Sequence, residues 1–151
     1  MLHMAAHMAQ ALADVHLYQN GLPTFVHADL KASQYLVLST PVDRTIPIVK
    51  LNDFNRGRLL TAQNQTLCPF VVHARHRGST NRSPEEYQNE APLSDKIDVF
   101  AFGSTLYEMV TGGSPFHNLT YEDGKRKILN GIQPPLPNLT TDPSLMVLIR
   151  V

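Results

Sequence analysis

The chain has 151 residues, with 13 Lys and Arg against 13 Asp and Glu and a formal net charge of zero when its seven His are neutral. That is one domain's worth of chain, long enough to bury a real core, and the balanced charge gives no sign of a nucleic-acid or membrane surface. The single cysteine, Cys68, excludes an intrachain disulfide and suits a reducing compartment, and no apolar run approaches the roughly 18–20 residues of a membrane span.

Over residues 1–20, Met4, Met8, Leu12 and Val15 recur at helical spacing among alanines, which predicts a helix with a core-facing stripe. Asn20-Gly21 and Pro23 are expected to end it. His3, His7 and Asp14 interrupt the segment and no basic leader precedes it, so it reads as a helix and not as a signal peptide. The runs "YLVL" (35–38) and "IPIVKL" (46–51), separated by the turn formers Pro41 and Asp43, predict a β-hairpin over 35–51.

Residues 55–83 show no clear periodicity, which is long for a structureless connection. Between Phe54 and Pro84 there is no acidic residue, but there are Arg56, Arg58, Arg75, Arg77, Arg82, His73 and His76. Such a run is either a solvated face or a seat for an anionic group. "SDKIDVFAFGSTLYEMVTGG" then predicts the best helix of the chain, over 95–111, with Ser94 as cap and Gly112 as stop. Val99, Phe102, Leu106, Met109 and Val110 form its expected stripe. Because Phe100 and Ala101 are apolar too, the helix is expected to be buried nearly all round. Asp98 inside it then needs hydrogen-bond donors. "YEDGKRKILNG" predicts a further helix ending at Gly131, and "PPLPNLTTDP" breaks the chain before a last apolar run, so helices are expected over 121–151. The fold class is mainly α with a small β-hairpin (α+β).

The chemistry concentrates in "VHADLKASQYLV", residues 26–37, where Asp29 stands two residues after His27 and two before Lys31. Taken singly, an Asp-x-Lys is as readily an exposed turn, Asp53 a strand-end turn residue, and Asp98 a first-turn acid favoured by the helix dipole. Taken in order, the elements resemble the C-terminal lobe of a eukaryotic protein kinase over essentially the whole chain. His27-x-Asp29-Leu30-x-x-x-Gln34 is similar to that family's catalytic loop (26–34), and Asp53-Phe54-Asn55 to the metal-binding element that opens the activation segment (53–85). Ser83-Pro84-Glu85 resembles the element that closes this segment, and Asp98 to Gly103 the start of the central buried helix.

The resemblance implies a protein kinase domain transferring the ATP γ-phosphate to a protein hydroxyl, with ATP and Mg²⁺ as cofactors. Asp29 would accept or orient the substrate proton, Lys31 would meet the γ-phosphate, and Asp53 and Gln34 would hold Mg²⁺. Leu36 would floor the adenine pocket. His27, Phe54, Glu85 and Asp98 would be structural, with Asp98 tying down the amides of the catalytic loop. Lys31 leans the reading toward Ser/Thr acceptors over Tyr. The partners implied are a protein substrate and ATP, with no nucleic acid and no membrane segment, and the location is cytoplasmic or the cytoplasmic side of a membrane receptor.

Three residues depart from the family's pattern. Gln34 stands where Asn is usual and reaches one methylene further; Asn55 stands for Gly, and Asn tolerates positive φ; Ala28 stands for the Arg that anchors an activation-loop phosphate. No G-x-G-x-x-G loop or Val-Ala-Ile-Lys strand precedes the catalytic loop, so the N-lobe is expected to be absent and the sequence to be a fragment cut at both ends. The chain alone is then expected to be inactive. The alternative is a pseudokinase, a non-catalytic module that offers the Arg-rich loop and the 121–131 helix to protein partners.

Overall fold

The computed structural model describes residues 2–17, 19–38, 48–64, 66–68, 70, 80–88 and 92–136. The expected turn around Pro41 and Asp43, the basic residues His73, Arg75, His76 and Arg77, and the last apolar run lie outside these. The chain divides into two compact units, Met1–Cys68 and Pro69–Val151.

In the first unit, helix α1 (Leu2–His16) buries Ala5, Met8, Leu12 and His16. Met8 and Leu12 of the predicted stripe are thus buried, while at its two ends Ala5 and His16 are buried and Met4 and Val15 are only half-buried. The helix also stops at His16, short of the residue 20 that was predicted. Leu17 turns to φ 42°, and Thr24 donates its N–H to the His16 carbonyl (2.8 Å) and its hydroxyl to that of Leu17 (2.8 Å). The last carbonyls are thus satisfied by a returning strand instead of by further helix. Asn20 (φ 50°) and Gly21 (φ 79°) form a two-residue turn, closed by reciprocal Gln19–Leu22 bonds of 2.8 and 2.9 Å.

Strand β1 (Phe25–Val26) follows, then a 3₁₀ turn (Ala32–Gln34), β2 (Tyr35–Leu38) and β3 (Ile48–Leu51). β2 and β3 pair antiparallel from Tyr35↔Leu51 to Leu38↔Ile48, as the sequence predicts, and α1 packs on β1 and β3. The stretch after Phe54 is not structureless. A 3₁₀ turn (Phe54–Arg56) leads into β4 (Arg58–Leu59), which pairs with β1, and β5 (Ala62–Gln63) pairs with β6 (Thr66–Leu67). Two-residue strands are too short to give a period.

A Cβ at Gly57 would meet the Phe25 ring, which would have to shift, and would lie 3.1 Å from the Phe54 carbonyl. Gly57→Ala is expected to destabilise the unit by about 1–3 kcal/mol, the usual range for overpacking, read as a lower urea midpoint.

In the second unit, helix α2 (Pro84–Tyr87) starts with proline at its first position. The Glu86 carboxylate accepts from the Ser83 N–H (2.9 Å) and from Arg82 Nη1 (2.8 Å). Helix α3 (Lys96–Thr111) begins after Ser94, whose Oγ accepts from the Lys96 N–H at 3.3 Å. It ends where predicted, at Gly112 (φ 76°).

The buried residues of α3 are Ile97, Asp98, Ala101, Gly103, Ser104, Thr105, Leu106 and Tyr107. Of the predicted stripe only Leu106 is buried, and Val99 is 38 % exposed. Gly103 to Tyr107 are buried in succession, which is more than one turn, so the middle of the helix is buried all round, as its apolar residues on every side predict. The Thr105 hydroxyl stays satisfied there by donating to the Ala101 carbonyl (2.9 Å). Helix α4 (Tyr121–Leu129) is capped by Thr120, whose Oγ1 accepts from the Asp123 N–H. It ends at Gly131 (φ 67°), with Ile132 N–H on the Lys127 carbonyl (2.9 Å) and Gly131 N–H on that of Ile128 (3.0 Å). Residues 131–136 continue without helix. Among the described residues no helix is long and apolar enough to cross a membrane.

Candidate active site

The segment 26–34 returns along the end of the β2–β3 hairpin and meets Asn52 and Asp53. His27 is the peg between them. It is fully buried, its Nδ1 accepts from the Asp29 N–H (3.3 Å), and so its proton sits on Nε2, which donates to the Asn52 carbonyl (3.0 Å). The Phe54 ring tilts against the imidazole with centroids 5.2 Å apart, and stands edge-on to Phe25 at 6.1 Å. Phe54 itself is 44 % exposed, so it covers His27 from the solvent side.

Gln34 forms the second tie. Its N–H donates to the Lys31 carbonyl (3.0 Å), and its own carbonyl accepts from the Asn52 N–H (2.9 Å). Its side chain is buried and donates from Nε2 to Asp53 Oδ2 (3.0 Å). Asp53 takes a left-handed conformation (φ 63°, ψ 64°), and so does Ala28 (φ 60°). Asn55, expected to absorb a positive φ, lies instead within the 3₁₀ turn after Asp53. An α-carbon with a side chain resists this region, so both conformations are held by the ties around them.

The Asp29 side chain is 14 % exposed and stands between two cations. Lys31 Nζ lies 3.5 Å from Oδ2 and Arg56 Nη1 lies 3.9 Å from Oδ1. Asp29, Lys31, Gln34 and Asp53 thus belong to one locale of the first unit. Leu36 lies beside them on β2 and is 47 % exposed. Glu85 and Asp98 belong to the second unit, Glu85 exposed on α2 and Asp98 only 1 % exposed in the first turn of α3.

Sequence reasoning missed the two acid–base pairs made by the basic run. Arg56 reaches back to Asp29, and Arg82 pairs with Glu86 inside α2 at 2.8 Å. Only the absence of any acid within 55–83 hinted that these guanidiniums would find partners outside it. Glu86, rather than Glu85, is the buried carboxylate. Burial pushes its carboxyl above the ordinary range, and the Arg82 guanidinium and Ser83 N–H pull it part of the way back.

The donor set can be tested against a divalent cation. Among the described residues no three His, Cys, Asp or Glu side chains cluster as a metal cage. Mg²⁺, however, is ordinarily held by one or two carboxylates together with substrate phosphates and water. Asp53 and the Gln34 amide oxygen fit that chemistry, the amide turning over to offer oxygen in place of the N–H it now points at Asp53.

Comparison with known families gives the class: a protein kinase domain model matches residues 1–144. The chain belongs to that family, whose members use ATP and Mg²⁺. It is similar to the serine/threonine-protein kinase VIK of Arabidopsis thaliana, 26 % identical over 148 residues that make up 98 % of this chain and 32 % of that protein. It is also similar to LysM domain receptor-like kinase 3 of Medicago truncatula, 32 % identical over 64 % of this chain and 14 % of that one. A third relative is the brassinosteroid LRR receptor kinase of Solanum lycopersicum, 29 % identical over 76 % of this chain and 8 % of that one. The chain therefore spans no more than a third of the length of these relatives.

Proposed function

We propose that the chain forms the C-terminal lobe of a protein kinase domain, and that it takes part in transfer of the ATP γ-phosphate to a Ser or Thr hydroxyl of a protein. The observation that carries this reading is the pair of ties through His27 and Gln34, which bring Asp29, Lys31 and Asp53 to one place from two separate loops. Phosphoryl transfer depends on positioning and on charge stabilisation more than on covalent chemistry, and this arrangement supplies both. Asp29 takes or orients the proton of the acceptor hydroxyl. Lys31, 45 % exposed at its side chain, meets the transferred phosphoryl group. Leu36 offers an apolar surface for the adenine ring. Asp53 and Gln34 would hold Mg²⁺, which when bound neutralises charge developing on the phosphates. Use of ATP and the single thiol of Cys68 would suit a location in the cytoplasm or on the cytoplasmic side of a membrane.

The test is phosphate transfer from ATP to protein by the gene product purified from cells, compared with its Asp53→Asn variant. We expect a loss of at least about a hundredfold in the variant, together with loss of Mg²⁺ dependence. A second reading, a pseudokinase that binds protein partners, is favoured by one contact. Gln34 presents an N–H donor to Asp53, where a metal ligand would present oxygen. Transfer that is absent from the wild type and unaltered in the variant would select this second reading.

A further inference from the structure

Arg56 sits in an acid-free stretch, and its carboxylate partner lies 27 positions earlier in the chain. We propose that Arg56 is a positioning residue for phosphoryl transfer, holding one oxygen of Asp29 while Lys31 holds the other. The inference rests on the role given to Asp29 above.

Backbone geometry delivers the guanidinium. β1 and β4 run antiparallel with Val26 opposite Arg58, so the chain forward from Val26 to Asp29 and the chain backward from Arg58 to Arg56 leave the ladder at the same end. The 3₁₀ turn Phe54–Arg56 is closed by the Gly57 N–H on the Phe54 carbonyl (2.9 Å). Gly57, with no side chain, lets this turn lie against the Phe25 ring. The left-handed Ala28 swings Asp29 out of the β1 direction. Arg56 thus comes from a short closed turn beside the ladder, not from the tip of a long loop.

The two cations differ in kind. The Lys31 side chain is 45 % exposed and that of Arg56 is 20 % exposed. The less exposed guanidinium is less screened by solvent, and its planar fork gives up less freedom per contact than an ammonium on a flexible stem. Lys31 is therefore the cation able to leave Asp29 and follow a phosphate, and Arg56 the one that stays. At 3.9 Å the contact is through space and not a bidentate clamp, so its effect is one of orientation and smaller than loss of the carboxylate.

Two measurements on R56Q, R56K and the neighbouring R58Q decide the matter. The first is the NMR shift of the Asp29 side-chain carboxyl carbon in the 151-residue chain at fixed neutral pH, with circular dichroism as a check on folding. It is expected to move in R56Q, to recover most of the way in R56K, and to stay in place in R58Q. The second is transfer kinetics of the gene product. Here kcat is expected to fall about tenfold in R56Q with KM for ATP unchanged, as a misplaced catalytic group requires, and to recover partly in R56K. An unmoved carbon, or a kcat that is unchanged or raised in R56Q, overturns the proposal. Should the wild type transfer no more phosphate than its D29N variant, the proposed function fails, and the carbon shift alone decides whether Arg56 holds Asp29.

Discussion

Asp29→Asn lowers the turnover of phosphoryl transfer by about a thousandfold, within the range that a positioned acid–base group contributes, and leaves the affinity for ATP nearly unchanged. The amide has the shape of the carboxylate and keeps the tie to His27 that is made through the Asp29 backbone N–H. What is lost is the proton acceptor and the negative charge that gathers Lys31 and Arg56. The residues proposed to meet Mg²⁺, Gln34 and Asp53, keep their own contact. The separation of kcat from KM distinguishes this from unfolding, which would remove both. Steady-state kinetics on the purified gene product give the answer, and a kcat within a few-fold of the wild type would remove Asp29 from the chemistry.

The second large effect concerns stability. Arg82→Ala removes the cation from a carboxylate that is only 6 % exposed at its side chain. Breaking a buried pair by deleting one partner costs about 3–5 kcal/mol, because the remaining charge has neither water nor counterion. With Arg82 itself 13 % exposed, the lower end, about 3 kcal/mol, is expected. Urea unfolding measures it as a lower midpoint at unchanged slope.

The pH dependence follows from the raised carboxyl of Glu86. A folded state that binds this proton more tightly than the unfolded chain is favoured at low pH. The contribution is fully present below the ordinary carboxylate value and is lost as pH rises through the folded one. Arg82→Ala takes away one of the influences holding that folded value down, so the loss extends to higher pH and is deeper at neutrality. Glu86→Gln cannot ionise, and its stability should lose this slope between mildly acid and neutral conditions. If R82A and the wild type show the same pH slope, the pair does not govern the titration of Glu86.

Much of the fold was legible where a local rule and a long segment coincided. The β2–β3 hairpin could be read from two β-prone runs, and the ends of α3 and α4 from Gly112 and Gly131, which take the left-handed conformation a stop requires. The end of α1 could not. Asn20-Gly21 is a turn signal, but it closes a tight turn beyond the helix, and the stop at His16 depends on Thr24, which returns from eight residues on. That α3 is buried nearly all round could be read from its apolar residues on every side, but its most buried positions could not, since Val99 is 38 % exposed while the small residues Ala101, Gly103 and Ser104, which carry little hydropathy, are buried. At the site, the order of His27, Asp29, Gln34 and Asp53 was visible. Arg56 was not, since no local spacing relates two residues joined by strand pairing across 27 positions.

Ala28 and Asp53 lie on either side of the His27–Asn52 tie, each in a backbone region that side chains resist at a cost of about 1–2 kcal/mol. A sequence selected only for durability would place glycine at both. Keeping side chains there means that the loop is held under strain by the ties around it, as a sprung catch is. The imidazole is the pin of that catch, and its removal would let Ala28 and Asp53 relax together. The two halves of the site therefore share a single mechanical fate: they are set together or they are released together.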